Sequence, residues 1–372
     1  MSSVTKDQVI KALEGVRDPE LGGNVVELGM ITDVSIEDDH VEIGLALTIA
    51  ECPLRSQIEG DTRRRVESMP GVESVGIRTT AMTKRQRAEL MSVARRQARE
   101  NAEPTQVGST TRVIAVASGK GGVGKSSLSV NLAAGLAQEG FDVGLLDADI
   151  WGYSIPRMIG AAGRLEADAE SKLIEPVTAN GVRVVSTGLI IDSEDTALMW
   201  RGMMLSKALE QFLKQVRWGD LDYLIIDMPP GTGDVQMALT RMLPQAEMIV
   251  ITTPQSAAQR VAIRVADMAR RSHMPVVGVI ENMSGDVFGE GGGKVLADEL
   301  GVSLLGSIPL DQSVVEGGDS GRPVVLEQGS GPAASALAGT VERVIAVVPP
   351  ADMETCTGRI AKLIADLEDG AA

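Results

Sequence analysis

The sequence predicts an α/β protein: a doubly wound, mostly parallel sheet preceded by a small α+β domain. From Arg112 onward, short continuous apolar runs alternate with helical stretches. Strands buried on both faces, joined by crossover helices, have that pattern. Residues 1–82 instead mix one helical period with short strands that turn back on each other. A chain of 372 residues is also long enough for two cores at about 150 residues per domain.

In order, Lys6 to Val16 has helical apolar spacing (Val9, Ile10, Leu13, Val16) and is stopped by Asp18-Pro19. Met30–Ile36 and Val41–Leu47 read as strands around the turn Glu37-Asp38-Asp39. Pro53 can open a helix that runs to Met69, before Pro70-Gly71, and Val72–Arg78 alternates like a last strand. Residues 83–100 are basic and helix-prone, and 101–111 have linker composition. With Glu89 and Glu100 diluting the charge and no aromatic interleaved, the basic stretch reads as a solvated helix rather than a nucleic-acid arm. The later strands are expected at Val113–Ala117, Val143–Leu146, Val182–Ser186, Tyr223–Ile226, Met248–Thr252, Val276–Ile280 and Ser303–Ile308. The expected domains are therefore 1–82, a helix and linker over 83–111, and 112–372.

Composition narrows the function. Asp plus Glu number 51 against 35 Lys plus Arg, a net charge of −16, which repels nucleic acid and anionic membrane surfaces. No aromatic precedes Phe141, which argues against base-stacking platforms. Two histidines, His40 and His273, exclude a multi-His metal site. Cys52 and Cys356 are the only cysteines, so no disulfide framework or CxxC pair can be drawn. The N-terminus lacks an apolar signal core and no apolar run reaches about 18 residues. The expectation is a soluble, reduced, cytoplasmic protein with no nucleic-acid or membrane partner.

Residues 119–126 read Gly-Lys-Gly-Gly-Val-Gly-Lys-Ser, between the strand Val113–Ala117 and a helix with Leu128, Leu132 and Leu136 on one face. This is the setting of a phosphate loop. Glycines let backbone N–H groups turn toward one anion, and the helix N-terminus adds positive potential. Lys125 would reach the β and γ phosphates, and the Ser126 hydroxyl would hold Mg²⁺. Two strand ends carry acids: Asp149 closes Leu-Leu-Asp-Ala-Asp, and Asp227 closes Tyr-Leu-Ile-Ile-Asp. Ligands bind at such carboxyl ends in open α/β sheets. Asp227 fits a Mg²⁺-water ligand and Asp149 a residue that orients the attacking water.

Lys120, just after the first glycine, makes the loop resemble the deviant Walker A class of cell-division positioning (MinD-like), plasmid-partition (ParA-like) and nitrogenase iron proteins. The resemblance implies a nucleotide-sandwich homodimer in which Lys120 reaches the partner's nucleotide. More specifically, DADIWGYSIPRMIG at 147–160, MWRGMM at 199–204, LDYLIIDMPPGTGDVQMAL at 221–239, TTPQ at 252–255, ENMS at 281–284, FGEGGG at 288–293 and IPLD at 308–311 resemble the Mrp/ApbC iron–sulfur cluster carriers. DPEL at 18–21 and CPLR at 52–55 resemble the small iron–sulfur-assembly domain often fused ahead of them. The resemblance implies an ATPase that carries a transient cluster, of the [4Fe–4S] type, between assembly scaffolds and apo iron–sulfur proteins. It puts Gly119, Lys120, Gly121, Gly122, Val123, Gly124, Lys125 and Ser126 on the triphosphate of ATP, Asp149 at switch I, Asp227 with Asp234 at switch II, and Asn282 on the adenine edge near Pro309 and Leu310.

One departure matters. Many such carriers place a CxxC pair between the NMS and FGxGGG segments, whereas here residues 282–288 join them without a cysteine. Cys52, before Pro53 and near Arg55, is either a reactive thiolate that handles iron–sulfur species or a small buried residue at a strand–helix turn. Cys356 reads as incidental. The rival readings are an ATPase adaptor in iron–sulfur assembly that no longer binds clusters, and a positioning ATPase, for which the acidic residues of the tail 353–372 are ill suited. A ligase or kinase would need an acceptor site, and none is evident.

Overall fold

The computed structural model describes residues 4–19, 21–48, 54–100, 102–150, 152–190, 202–231, 233–327 and 331–351. The chain divides into two compact units, Met1–Asn101 and Ala102–Ala372. The first contains α1 (Lys6–Leu13), β1 (Ile31–Glu37), β2 (His40–Leu47), α2 (Arg55–Glu67), β3 (Ser74–Ala81) and α3 (Lys84–Glu100). β1 and β2 form an antiparallel hairpin, and β3 runs parallel to β2 after the α2 crossover. Thr5 and Gln8 cap α1 reciprocally. That helix stops at Leu13, short of the expected Val16, as the chain tightens into i→i−3 bonds (Gly15 N–H to the Ala12 carbonyl at 3.1 Å, Val16 N–H to that of Leu13 at 3.0 Å), and the Val16 carbonyl then accepts the Val25 N–H at 3.0 Å. Val16 still joins the core, with Leu13, Leu28, Ile43, Leu45, Ile58 and Val66. Leu90 and Ala94 of α3 are buried in that same core.

The second unit contains β4 (Arg112–Ser118), α4 (Lys125–Gln138), β5 (Val143–Asp147), α5 (Ile155–Ile159), β6 (Glu166–Ala167), β7 (Ile174–Glu175), β8 (Val177–Ala179), β9 (Val182–Val185), α6 (Gly202–Gln215), β10 (Tyr223–Asp227), α7 (Asp234–Met242), β11 (Glu247–Thr252), α8 (Ser256–Arg271), β12 (Val276–Ser284), α9 (Gly292–Leu300), β13 (Ser303–Pro309), α10 (Gln312–Ser320) and α11 (Pro332–Val347). The sheet order is β13-β12-β11-β4-β10-β5-β9-β8. Every neighbouring pair is parallel except β8 with β9. The antiparallel edge strand β8 and the small β6–β7 ladder were not expected from the sequence; each is only two or three residues long, too short for a period to register.

Alternate residues of β4 feed opposite cores. Val113, Ala115 and Ala117 pack with Phe212, Leu239, Val265 and Leu296 of α6–α9. Ile114 and Val116 pack with Leu128, Leu132, Leu337 and Val341 of α4 and α11. This two-sided burial is why the strand reads as an unbroken apolar run. β4 is central, with β10 and β5 on one side and β11 to β13 on the other. The order therefore reverses at β4, and the crevice beyond its carboxyl end is where such sheets bind ligands.

Candidate functional site

The loop between β4 and α4 occupies that crevice. Gly124 is the N-cap of α4 at φ 82°, ψ 23°, a left-handed conformation that glycine adopts without a Cβ clash. Gly119 lies against α8, and a Cβ there would stand 2.6 Å from the Val261 carbonyl oxygen. Lys120, Gly121 and Gly122 are exposed, Gly119, Gly124 and Ser126 half-buried, and Val123 and Lys125 buried. The loop is braced from behind: Ser118 Oγ donates to the Lys120 carbonyl at 3.1 Å. From β12, Asn282 Nδ2 donates to the Val123 carbonyl at 2.9 Å.

Parallel register sets Asp227 of β10 beside Asp147 of β5. Asp227 is fully buried and its carboxylate collects three donors. Lys125 Nζ lies 2.8 Å and Ser126 Oγ 2.6 Å from Oδ2, and Ser129 Oγ lies 2.7 Å from Oδ1. Asp149 Oδ2 is 3.8 Å from the same ammonium. Asp147, equally buried, accepts the Ser186 hydroxyl at 2.9 Å and the Asp149 N–H at 3.1 Å. Burial first, then the Asp227 charge, raise the Asp147 carboxyl to about 8. The Asp149 carboxyl is also raised, by burial above all, with Lys125 pulling the other way.

Lys125, Ser126, Asp149 and Asp227 thus converge on one point, while Lys120 stands exposed on the loop. Sequence reasoning passed over Asp147, Ser129 and Ser186. The signal for Asp147 was present, since two strand ends finishing in Asp become neighbours once their strands pair. Asp234 begins α7. Asn282 lines a cavity of about 180 Å³ with Met158, Met283, Pro309, Leu310 and Val314. Ser127, Asp311 and Asp319 also line it, so the largely apolar wall carries an amide, a hydroxyl and two carboxyl groups, suited to a flat heteroaromatic ring with polar edges.

Two carboxylates, Asp149 and Asp227, share one ammonium, and the Asp147 carboxyl lies beside Asp227. The excess negative charge and the adjacent oxygens of Ser126 and Asp227 suit a small hard divalent cation. Among the described residues no group of three or more His, Cys, Asp or Glu side chains could hold a metal. A cation here would take few protein oxygens and complete its shell with phosphate and water, as Mg²⁺ commonly does.

Cys52 and Cys356 lie outside the described residues. Arg55, whose charge was expected to act on Cys52, is 2.7 Å from Glu59. Where many carriers have CxxC, the chain makes a tight turn. Gly285 and Gly289 exchange N–H···O bonds of 2.9 and 2.7 Å, and Val287 and Phe288 are exposed at its tip. The Glu281 carboxylate anchors the return, accepting the N–H of Gly291 at 3.1 Å and of Gly293 at 2.5 Å, and the Ser307 hydroxyl at 2.9 Å.

Comparison with known proteins decides among nucleotide-binding folds. Residues 109–345 match the family described as NUBPL iron-transfer P-loop NTPase, and residues 6–78 match that of iron-sulfur cluster assembly proteins. The chain belongs to the NUBPL-type iron-transfer P-loop NTPases. The iron-sulfur cluster carrier protein of Mycobacterium leprae is 44% identical over 349 residues, 89% of this chain and 90% of that one. A nucleotide-binding protein from Archaeoglobus fulgidus, solved with ADP, is 31% identical at a TM-score of 0.51, covering 64% of this chain and 94% of its own. The cell-division ATPase MinD of Pyrococcus furiosus, 22% identical at a TM-score of 0.50 over 63% of this chain and 98% of its own, shares the fold. The general chemistry of the family is nucleotide hydrolysis. No helix among the described residues is long and apolar enough to cross a membrane.

Proposed function

We propose that this chain is an iron–sulfur cluster carrier that binds and hydrolyses ATP, working as a cytoplasmic homodimer that passes its cargo from assembly scaffolds to apo iron–sulfur proteins. One observation carries the reading. A phosphate loop converging with Asp149 and Asp227 stands in a chain whose two parts match iron-transfer and iron–sulfur-assembly families. The carrier name belongs to relatives that span nearly the whole chain, so it applies to both parts together. Because Leu90 and Ala94 put α3 in the first core, we take these parts as 1–101 and 102–372, rather than the expected 1–82 and 112–372 joined through 83–111.

In this reading the backbone of Gly119–Gly124 faces the phosphates of ATP, and Lys125 leaves its carboxylates for the β and γ phosphates. Ser126 and Asp227 would hold Mg²⁺, which supplies charge neutralisation on the transferred phosphoryl group. Asp149 orients a water whose oxygen bonds to the γ phosphorus as the bond to the bridging oxygen breaks, leaving ADP and phosphate. Asn282 reads the adenine edge from the cavity wall. Lys120, exposed on the loop, reaches the nucleotide of the second copy. Closure over nucleotide and reopening after hydrolysis change the hold on the cargo.

The cargo is a [4Fe–4S] cluster held transiently, with Cys52 as its candidate ligand. The missing CxxC, with an apolar turn in its place, favours a second reading, in which the ATPase serves assembly without holding a cluster. Anaerobic reconstitution with iron and sulfide, followed by transfer to an apo-ferredoxin with and without ATP, separates the two. A carrier acquires a cluster and its transfer rate responds to ATP. A chain that takes up no iron under any condition while still hydrolysing ATP is the adaptor.

A further inference from the structure

Ser186 directly follows the strand β9 and caps the 3-10 turn Thr187–Leu189. Val182, Val184 and Val185 are fully buried in β9, and Ser186, the next residue, is just as buried. β9 lies parallel to β5 with Val185 opposite Leu146, so the position after Val185 faces Asp147. A valine there would extend the run and leave one oxygen of the Asp147 carboxyl group facing methyl groups. Instead the Ser186 hydroxyl donates to Asp147 Oδ2 at 2.9 Å. The other oxygen, Oδ1, accepts the N–H of Asp149 at 3.1 Å. Ser186 Oγ in turn accepts the N–H of Gly188 at 3.1 Å, inside the 3-10 turn Thr187–Leu189. That turn is tied at its far end, where the carbonyls of Leu189 and Ile190 accept from Leu165 N and Arg164 Nη2.

We propose that Ser186 is a positioning residue for hydrolysis: through Asp147 it fixes the backbone from which the Asp149 carboxylate projects, and it links that carboxylate to the turn at 187–189. The proposal rests on the reading of Asp149 as the residue that orients the attacking water. Buried carboxyl oxygens hold their place only while hydrogen-bond partners satisfy them. Without the Ser186 hydroxyl, Asp147 rotates or shifts to find another donor, and the Asp149 amide bonded to its other oxygen moves with it. Displacements well under 1 Å at a group that orients a nucleophile lower turnover, whereas nucleotide affinity, set by the loop residues 119–126 with Asp227 and Asn282, is untouched. By the same chain of bonds, a partner that displaces the turn at 187–189 alters the rate of hydrolysis without touching the nucleotide.

The test compares Ser186→Ala, Ser186→Thr and Asp149→Ala in the full chain, measuring steady-state ATPase and the affinity for a fluorescent ATP analogue. Ser186→Ala is expected to lower kcat about tenfold with nucleotide affinity within about twofold of wild type. Ser186→Thr, which keeps the hydroxyl, is expected to recover most of that loss, an outcome that a packing role alone does not produce. If Ser186→Ala does not fold, Ser186→Cys, similar in size and a poor donor, replaces it with the same expectation. Wild-type kcat in Ser186→Ala while Asp149→Ala is slow overturns the positioning role and leaves Asp149 in place. Equal loss of affinity and turnover in Ser186→Ala also overturns it. Wild-type turnover in Asp149→Ala overturns the underlying reading instead.

Discussion

Lys125 is almost fully buried between Asp227 and Asp149, so its ammonium has somewhere to sit before any phosphate arrives. Removing it leaves Asp149 and Asp227 without their shared cation, and the triphosphate loses its principal charge partner. Lys125→Ala is therefore expected to abolish ATP binding in a filter or fluorescence assay. Lys120, exposed and outside this cluster, behaves differently: Lys120→Ala should still bind ATP but hydrolyse it slowly and fail to dimerise with nucleotide, as read by light scattering. Asp147 makes a separate prediction. Its carboxyl stands at about 8 in the fold against an ordinary 3.8, so between these values the folded state holds the proton more tightly than the unfolded one. Stability of the nucleotide- and metal-free protein therefore falls as pH rises from about 4 to about 8. Urea unfolding at pH 5.5 and 8 should show that loss in wild type and a flatter response in Asp147→Asn.

At the scale of elements, the phosphate loop depends on how closely α8 approaches β4. Gly119 meets the Val261 carbonyl of α8, whereas a Cβ on Gly121 would meet nothing within 4 Å. Gly119→Ala must push helix or loop aside, an overpacking cost of about 1–3 kcal/mol. Gly121→Ala should change stability little, and paired urea melts of the two variants check the contrast. The loop itself was legible because its signals are local: glycines, two lysines and a hydroxyl within eight residues, bounded by an apolar strand and an apolar helix face. β8 was not legible, because a three-residue edge strand has no period and its direction depends on where β9 already lies. The early end of α1 was equally hidden, because the apolar period runs on to Val16 while the backbone has already tightened into i→i−3 bonds at Gly15 and Val16.

For the whole molecule, the cysteine count sets the question of the cargo. A cluster that demands four thiolates finds two per chain, so thiolates from one chain are too few. A two-fold dimer doubles each contribution. Cys52 from both copies gives two ligands, with the remainder from a partner's thiols or other groups. Iron per chain after anaerobic reconstitution is expected to be substoichiometric in wild type, lost in Cys52→Ser and largely kept in Cys356→Ser. Undiminished iron in Cys52→Ser would remove Cys52 as a ligand.

By itself, the sequence determined the two-part organisation, the buried parallel strands, and the loop of 119–126 between strand and helix. Each of these is written within a few residues, in apolar period, glycine placement and helix-end chemistry. Tertiary structure alone decided which distant groups meet. Asn282 reaches the Val123 carbonyl across 159 residues, Lys125 reaches Asp227 across 102, and Ser186 reaches Asp147 across 39. These contacts follow from strand order: β12 comes within reach of the loop, β10 lies between β4 and β5, and β9 closes on β5. Order is settled by how two apolar faces are covered at once, a condition that no single segment contains.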